Sequence, residues 1–333
     1  MATAHSSSVY LASKIEGMMS KIGCNAKKIA LIIVACVVLG AMLALAIAGI
    51  VYGVRGNVER PTEAYMAEIE RDTFTNNADI RVMSSNLLVH YASWGGTPVK
   101  VRGGRYLAMI ESYKPDVIGV QEMSEEWFAV LNQKLPANYR VLDSGATFFD
   151  ILLTGMIYNS DTLELLEHGN FAYKEGENVR LRRIVWAKFR HKKTGKIFAT
   201  TSTHLSLLFG GKEEEFKGVM DSQAEEIVEF AKILAHDCPV ISVGDYNTRD
   251  DAYVEEPRSD DYPAILHYMR AHMRDAKNEA LHKVAGMASP YNTPLYDHIF
   301  YLGDIRVDTF AILSHEYLSE LSDHYPIFAD IAL

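Results

Sequence analysis

One long apolar segment constrains the fold of this chain more than any other feature. No charged side chain occurs from Ile29 to Val54, a run that reads IALIIVACVVLGAMLALAIAGIVYGV. Because a helix rises about 1.5 Å per residue, a helix of this length more than covers a hydrocarbon core of about 30 Å. Lipid offers no water to the backbone, so residues 29–54 are predicted to form one transmembrane helix.

The charges that flank this run predict its orientation. Before the run stand Lys14, Lys21, Lys27 and Lys28, against the single acidic residue Glu16. After it, arginines alternate with glutamates. The positive-inside rule therefore predicts a single-pass membrane protein with a cytoplasmic tail, residues 1–28, and an extracytoplasmic C-terminal part. A cleaved signal peptide is the alternative, although its apolar stretch usually runs only about 7–15 residues.

The remaining chain divides into a polar segment and a folded domain. Residues 55–79 are polar, with helix-like spacing of Tyr65, Met66 and Ile69, and are predicted to be a linker or short helical stalk. From Ile80 to Leu333, short apolar strands alternate with helical segments, which predicts an α/β domain. The net charge of −10 argues against broad electrostatic adhesion to nucleic acid.

Polar side chains that can bind metal or phosphate recur where the predicted strands end. Asn86 ends one strand, Glu122 follows a second, His204 lies at the end of a third, and Asp245 ends a fourth. Strand ends are rigid and the loops beyond them face solvent, so several such ends can converge on one site. Each residue alone is also typical of an ordinary turn or strand end.

Taken in order, the motifs resemble the endonuclease/exonuclease/phosphatase superfamily. They are Asn86, Gln121-Glu122, Thr203-His204-Leu205, Gly244-Asp245-Tyr246-Asn247, Tyr296-Asp297-His298-Ile299-Phe300 and Ser322-Asp323-His324-Tyr325-Pro326. The resemblance covers residues 80–333. It implies a four-layer sandwich of two packed, mixed or antiparallel β-sheets flanked by helices. It also implies a hydrolase that acts on phosphoester bonds.

The resemblance implies a metal site. Glu122 matches the residue that coordinates a divalent cation, Asn86 matches one that orients this site, and Asp323 matches a carboxylate near the metal. Magnesium is the expected ion, with Mn²⁺ or Ca²⁺ as alternatives. The residue types agree, because magnesium prefers one or two carboxylates completed by water and phosphate oxygens.

The resemblance also implies catalytic roles. Asp245 matches the aspartate that polarises the attacking water, and Asn247 matches its partner on the phosphate. His204 matches a histidine that contacts phosphate. His324 matches the histidine that stabilises the pentacovalent phosphorus, and Asp297 matches the aspartate that orients it. A histidine beside a buried carboxylate is held in one tautomer and can stay protonated near neutral pH.

The substrate is left open by the sequence. The basic stretch 180–193 could contact phosphate groups or be solvated charge at two strand ends. The apolar loop 205–211 could touch a membrane surface or pack in the core. The segments around Asp245 and Asp297 lack the tryptophan and the Pro-x-Trp-Cys-Asp-Arg block of inositol 5-phosphatases, which argues against that subfamily.

Three functions therefore stand as hypotheses. The first is an extracytoplasmic phosphodiesterase or phosphatase acting on a lipid headgroup or small phosphodiester. The second is an extracytoplasmic endonuclease acting on nucleic acid, and the third is a non-catalytic surface-binding module. The expected partners are the phosphoester substrate and the membrane, through Ile29–Val54. The sequence indicates no protein partner.

Overall fold

The computed structural model describes the chain in several stretches. They are residues 33–44, 46, 56–71, 76, 78–89, 97–143, 153–175, 182–207, 213–249, 262, 264–291 and 294–333. The chain divides into two compact units, Met1–Val54 and Arg55–Leu333.

In the first unit, residues 33–44 are helical and their side chains are exposed. Within the stretches given above, no helix combines the length and the apolarity needed to cross a membrane. Half of the predicted helix 29–54, and all of the predicted tail 1–28, lie outside the described residues.

The second unit is built on two β-sheets. The strands are β1 Ile80–Asn86, β2 Val117–Met123, β3 Tyr139–Asp143, β4 Leu153–Asn159, β5 Leu163–Ala172, β6 Arg183–His191, β7 Ile197–His204, β8 Val240–Asp245, β9 Arg274–Asp275, β10 His282–Val284, β11 Asp297–Leu302, β12 Arg306–Ile312 and β13 Ile327–Ala332. Among the described residues, one sheet has the order β10-β12-β13-β1-β2-β4-β3 and the other β5-β6-β7-β8-β11-β9. Strands β1 and β2, β7 and β8, and β10 and β12 pair in parallel, and the other pairs are antiparallel.

Helices cover the outer faces of both sheets. They are α1 Glu63–Arg71, α2 Val99–Tyr113, α3 Glu125–Lys134, α4 Glu213–Ala235, α5 Ala264–His272 and α6 Ala276–Glu279, with a 3₁₀ turn at Glu316–Leu318. One apolar core joins α2 and α3 to the seven-stranded sheet and continues between the two sheets. A second core lies where α4 and α5 pack on the six-stranded sheet. The predicted sandwich of two mixed sheets flanked by helices is confirmed.

The two sheets are in close contact at Gly119. A Cβ at this position of β2 would lie 2.3 Å from Val243 Cγ2 and 2.8 Å from Ser202 Oγ, both on the other sheet. Such distances are far below a normal van der Waals contact, so only glycine lets the sheets approach this closely. This approach brings the ends of strands from both sheets within hydrogen-bonding reach of one another.

The segment 55–79 corrects the predicted domain boundary. It contains α1, in which Tyr65 and Ile69 are buried in the first core. The main-chain N–H of Glu59 donates to Lys100 O on α2 at 2.8 Å. Tyr65 and Ile69 stand four residues apart and so form one apolar stripe, which is stable only when it is buried. The compact unit therefore begins at Arg55 rather than at Ile80.

Candidate active site

In the seven-stranded sheet, strand pairing gathers three segments at one end. Parallel pairing of β1 and β2 places Asn86 opposite Gln121, so Glu122, the next residue of β2, lies beside Asn86. Strand β13 runs antiparallel to β1, with Ile327 opposite Ser84. His324 precedes β13 by only a few residues and therefore arrives at this same end.

The six-stranded sheet contributes a second row of residues. Parallel pairing of β7 and β8 sets His204 opposite Asp245, and antiparallel pairing of β11 sets Asp297 opposite Asp245 from the other side. The side chains of His204, Asp245 and Asp297 thus lie at the ends of three neighbouring strands. All three are buried, with 1–2% of each residue exposed.

Asn86 connects the site residues of the two sheets through hydrogen bonds. Its Nδ2 donates to Glu122 Oε1 at 3.2 Å and to Asp245 Oδ2 at 3.0 Å. Its Oδ1 accepts from the main-chain N–H of Leu88 at 2.9 Å. Asn86 therefore presents amide hydrogens to both carboxylates, while its oxygen is turned towards the main chain of Leu88.

Backbone strain concentrates around these side chains. Leu88, Glu122 and Asn247 have φ values of 54°, 54° and 47°, in the left-handed region that non-glycine residues rarely adopt. Each such residue costs on the order of 1–3 kcal/mol and persists only where the surrounding structure enforces it. At Glu122 the strain accompanies an irregularity in the β2–β4 pairing, which turns the carboxylate towards Asn86.

Asp245 lies at the centre of the site. Its Oδ1 accepts from the main-chain N–H of Asn247 at 2.8 Å, and its Oδ2 lies 3.4 Å from His204 Nε2. Burial raises the pKa of Asp245 to about 6, although the charge of His324 opposes the shift. Burial lowers the pKa of His204 well below its ordinary value, and the positive charges of Arg182 and His324 add to this effect.

A histidine–aspartate pair flanks Asp245. His324 Nδ1 and Asp297 Oδ2 are 2.6 Å apart, and Ser84 Oγ donates to the other oxygen of Asp297 at 3.2 Å. Burial by itself lowers the pKa of His324, but the charge and hydrogen bond of Asp297 outweigh it and raise this pKa well above its ordinary value. The structure thus pairs His324 with Asp297.

The remaining predicted residues take more limited positions. Asp323 accepts from Ser322 Oγ at 3.2 Å, and its charge acts on His324. The side chain of Asn247 donates to Leu205 O at 2.7 Å, so in this structure its amide hydrogen points at the protein. His298 is buried, and its Nε2 lies 3.1 Å from Thr248 O.

The donor set fits a cation held by few protein ligands. Within the described stretches, no three His, Cys, Asp or Glu side chains form a cluster that could enclose a metal. Magnesium, however, is commonly held by one or two carboxylates, with water and substrate phosphate completing its shell. Glu122, which accepts from Asn86 Nδ2, can supply one such carboxylate.

Two residues at the site were not singled out from the sequence. Ser84 stands two residues before Asn86 on β1, and because side chains at i and i+2 share a face, this spacing could have pointed to it. Arg102 is buried in the first turn of α2, and nothing in its sequence neighbourhood indicates a functional position.

A cavity of about 480 Å³ lies elsewhere, between α1, α2 and the 3₁₀ turn. Its lining includes Tyr65, Arg105 and Tyr317 but none of the predicted site residues.

Comparison with known proteins gives a partial match in sequence and a broader one in structure. No protein-family model matches the chain. Protein angel of Drosophila melanogaster is 29% identical over 153 residues, which cover 41% of this chain and 40% of that protein. The match thus spans less than half of that relative's length.

Solved structures match most of the second unit. The endonuclease/exonuclease/phosphatase from Bacteroides vulgatus superposes with a TM-score of 0.64 at 20% identity, over 76% of this chain and 98% of that one. This chain has the endonuclease/exonuclease/phosphatase fold. The mannosyl-6-phosphatase of Bacteroides thetaiotaomicron gives a TM-score of 0.61 at 20% identity, over 76% of this chain and all of that one (100%).

D. rerio TDP2, in complex with a single-strand DNA product, gives a TM-score of 0.59 at 16% identity, over 76% of this chain and 99% of that one. At these identities the likeness establishes the fold, and the resemblance read from the sequence motifs is confirmed at that level. The substrates in these names belong to those proteins.

Proposed function

We propose that this chain is a hydrolase of phosphoester bonds that uses a divalent metal ion. The observation that carries the proposal is the convergence of both sheets on one site. There, Asn86 ties Asp245 to Glu122, and the Asp297–His324 pair stands beside them. Carboxylates and an oriented histidine at one place are what phosphoester hydrolysis requires.

The proposed roles follow from the contacts. Asp245 is held by two donors, Asn86 Nδ2 and the N–H of Asn247, and it polarises the attacking water. His324, oriented by Asp297, stabilises the negative charge that develops on the phosphoryl oxygens. His204, adjacent to Asp245, contacts the phosphate.

The proposed metal ligands are Glu122 and Asp323, and Mg²⁺ is the proposed ion. The negative charges of both carboxylates act on buried Arg102 and oppose the fall in its pKa. When bound, the cation neutralises the phosphate and makes phosphorus easier to attack. Asn86 and the N–H of Val89 hold the Glu122 carboxylate in place.

A small or lipid-borne phosphoester is the favoured substrate. The positive charge of Arg182 acts on His204 and helps to lower the pKa of that histidine, and a positive charge near the site agrees with an anionic substrate. The predicted basic stretch offers little more to nucleic acid, since Arg190 pairs with Glu164 and Lys188 with Asp237. Of the apolar loop after His204, Leu205 is buried in the core, while residues 208–211 lie outside the described chain.

The site of action is a separate proposal. Residues 29–54 are proposed to anchor the chain in a membrane, with the domain on the extracytoplasmic side. The support is the absence of charge in this run and the lysines before it. Resistance of the full chain to alkaline carbonate extraction would agree with it, whereas release into the supernatant would contradict it.

A phosphoester panel on the full-length chain tests the activity. The panel comprises sugar phosphates, sphingomyelin and phosphoinositide vesicles, a chromogenic diester, RNA and DNA, each with Mg²⁺ and with chelator. Asp245→Ala and His324→Ala are each expected to lower turnover by about 100-fold or more. Asp237→Ala, which removes an exposed aspartate, is the matched control and should keep full turnover.

Two results would contradict the proposal. One is an Asp245→Ala variant that remains folded and keeps near-native turnover. The other is hydrolysis that proceeds unchanged in excess chelator. Cleavage of nucleic acids alone would move the assignment to the nuclease hypothesis, and silence across the whole panel would support a binding module.

A further inference from the structure

A buried arginine stands behind the site. Arg102 is only 3% exposed, and its guanidinium donates to main-chain carbonyl oxygens of five residues in the described part of the chain. Nε donates to Thr97 O at 3.1 Å, and Nη2 donates to Val89 O at 3.3 Å. Nη1 donates to Leu87 O at 2.7 Å, to Leu88 O at 3.0 Å and to Leu321 O at 3.0 Å.

This arrangement is energetically unusual. A buried charge is costly unless it is hydrogen-bonded and compensated by opposite charge. Burial lowers the pKa of Arg102 to about 10, and the carboxylates of Asp323, Glu122 and Glu126 oppose that shift. Arg102 is therefore still a cation at neutral pH, stabilised at a distance by the two carboxylates proposed to bind metal.

The first segment that Arg102 holds is residues 87–89. Their carbonyls accept from the guanidinium, while the N–H groups of Leu88 and Val89 donate to side chains of the site. The N–H of Leu88 donates to Asn86 Oδ1, and the N–H of Val89 donates to Glu122 Oε2 at 3.1 Å. Trp127 Nε1 also donates to Leu88 O, at 2.9 Å. Hydrogen bonds thus hold the strained backbone of Leu88 at both its N–H and its carbonyl group.

The second segment is the turn that carries Asp323 and His324. Arg102 binds the carbonyl of Leu321, the residue that precedes Ser322. Ser322 Oγ accepts from the N–H of His324 at 3.2 Å and donates to Asp323 at the same distance. One guanidinium therefore contacts both the segment that orients Glu122 and the turn that presents Asp323 and His324.

We propose that Arg102 is a positioning residue that fixes Glu122 relative to the Asp323-His324 turn and thereby sets the affinity of the site for a divalent cation. This inference rests on the proposed function for the identity of the ligand. The loss of residues that orient metal ligands typically costs about 10- to 100-fold in metal affinity or activity. Lysine is a poor substitute, because one ammonium with three donors cannot span the carbonyls that a guanidinium fork reaches.

The test compares two buried arginines. Arg102→Lys and Arg102→Met are the test variants, and Arg81→Lys is the matched control. Arg81 is 1% exposed, lies near the opposite end of β1, and binds Asp330 and Tyr113 O instead of the site. The dissociation constant for Mn²⁺, measured by electron paramagnetic resonance on the full chain, should rise about 10- to 100-fold with Arg102→Met.

Arg102→Lys should show a smaller rise, and it carries the test if Arg102→Met does not fold. Arg81→Lys should lower the melting temperature yet leave Mn²⁺ affinity at the wild-type value. Hydrogen exchange gives a readout independent of metal and of activity. The amides of residues 87–89 and 321–324 should exchange faster in Arg102→Lys than in Arg81→Lys.

Equal Mn²⁺ affinity and equal exchange in the Arg102→Lys and Arg81→Lys variants would overturn the inference. A wild-type chain that binds no Mn²⁺ would overturn its metal-affinity part. A wild-type chain that binds Mn²⁺ in an Arg102-dependent way, yet hydrolyses nothing in the panel, would refute the proposed function and leave the positioning role intact.

Discussion

The hydroxyl of Ser84 offers a sharp test of the Asp297–His324 pair. Ser84 is fully buried, and its Oγ donates to Asp297 Oδ1 at 3.2 Å while Asp297 Oδ2 contacts His324. Ser84→Ala removes this donor and leaves a buried carboxylate oxygen short of one partner. A hydrogen bond to a charged group contributes about 1.5–3 kcal/mol, so the free energy of unfolding should fall by about that amount.

The same loss should appear in turnover if Asp297 orients His324 in the transition state. Since each 1.4 kcal/mol corresponds to about a tenfold change in rate, Ser84→Ala should lower kcat by about 10- to 100-fold. KM should stay unchanged, because Ser84 lies behind the pair rather than against the substrate. Urea denaturation followed by circular dichroism gives the stability, and steady-state kinetics on the best panel substrate gives kcat and KM.

Ser202→Ala is the matched control. Ser202 is equally buried between the sheets, and it accepts from Gln121 Nε2 at 3.4 Å. A hydrogen bond between neutral groups is worth only about 0.5–1.5 kcal/mol, and kcat should stay near native. If Ser84→Ala and Ser202→Ala gave equal stability and equal kcat, the reasoning about Asp297 would be refuted.

Three further predictions concern stability and reactivity. Gly119→Ala should cost about 1–3 kcal/mol, measured by urea unfolding, because its Cβ would meet Val243 at 2.3 Å. Asp330→Ala should cost about 3–5 kcal/mol in the same assay, because Arg81 would be left as an uncompensated buried charge. Burial raises the pKa of the Cys238 thiol, so at pH 8 iodoacetamide should modify it more slowly in the native chain than in urea, as peptide mass spectrometry would show.

Each of these predictions has a clear contrary result. Wild-type stability of Gly119→Ala would mean that the sheets do not approach closely at this point. Asp308→Ala, which opens an exposed pair with Arg306, is the control for Asp330→Ala and should change stability by less than about 1 kcal/mol. If Asp330→Ala and Asp308→Ala lowered stability equally, the burial assigned to the Arg81–Asp330 pair would be refuted. Rapid labelling of Cys238 in the native chain would refute the burial assigned to that thiol.

The local pattern of apolar residues was enough to predict the strands whose ends form the site. Short apolar runs such as Val117–Val120 and Val240–Val243 are buried strands, as expected of residues enclosed on both faces. The strands predicted to end at Asn86 and His204 are likewise present. The sequence motifs also indicated the fold, and they named the residues that meet around Asp245.

What the sequence left open depends on contacts between distant parts of the chain. The domain boundary was misplaced because α1 is polar overall, and only tertiary packing shows that its Tyr65–Ile69 stripe has a surface to cover. Ser84 and Asp297 are 213 positions apart, so their contact follows from strand order and register rather than from local propensity.

The contacts of Arg102 could not be predicted from the sequence either. Its partners are backbone carbonyls, which every residue has, so no side-chain pattern could have identified them. The sequence thus determined the elements and the chemical groups at their ends, because periodicity and residue type are local properties. The tertiary structure decided which of these groups are in contact and which residues hold them in position. The reason is that packing brings distant parts of the chain together and so determines the partners of each buried charge or carboxylate.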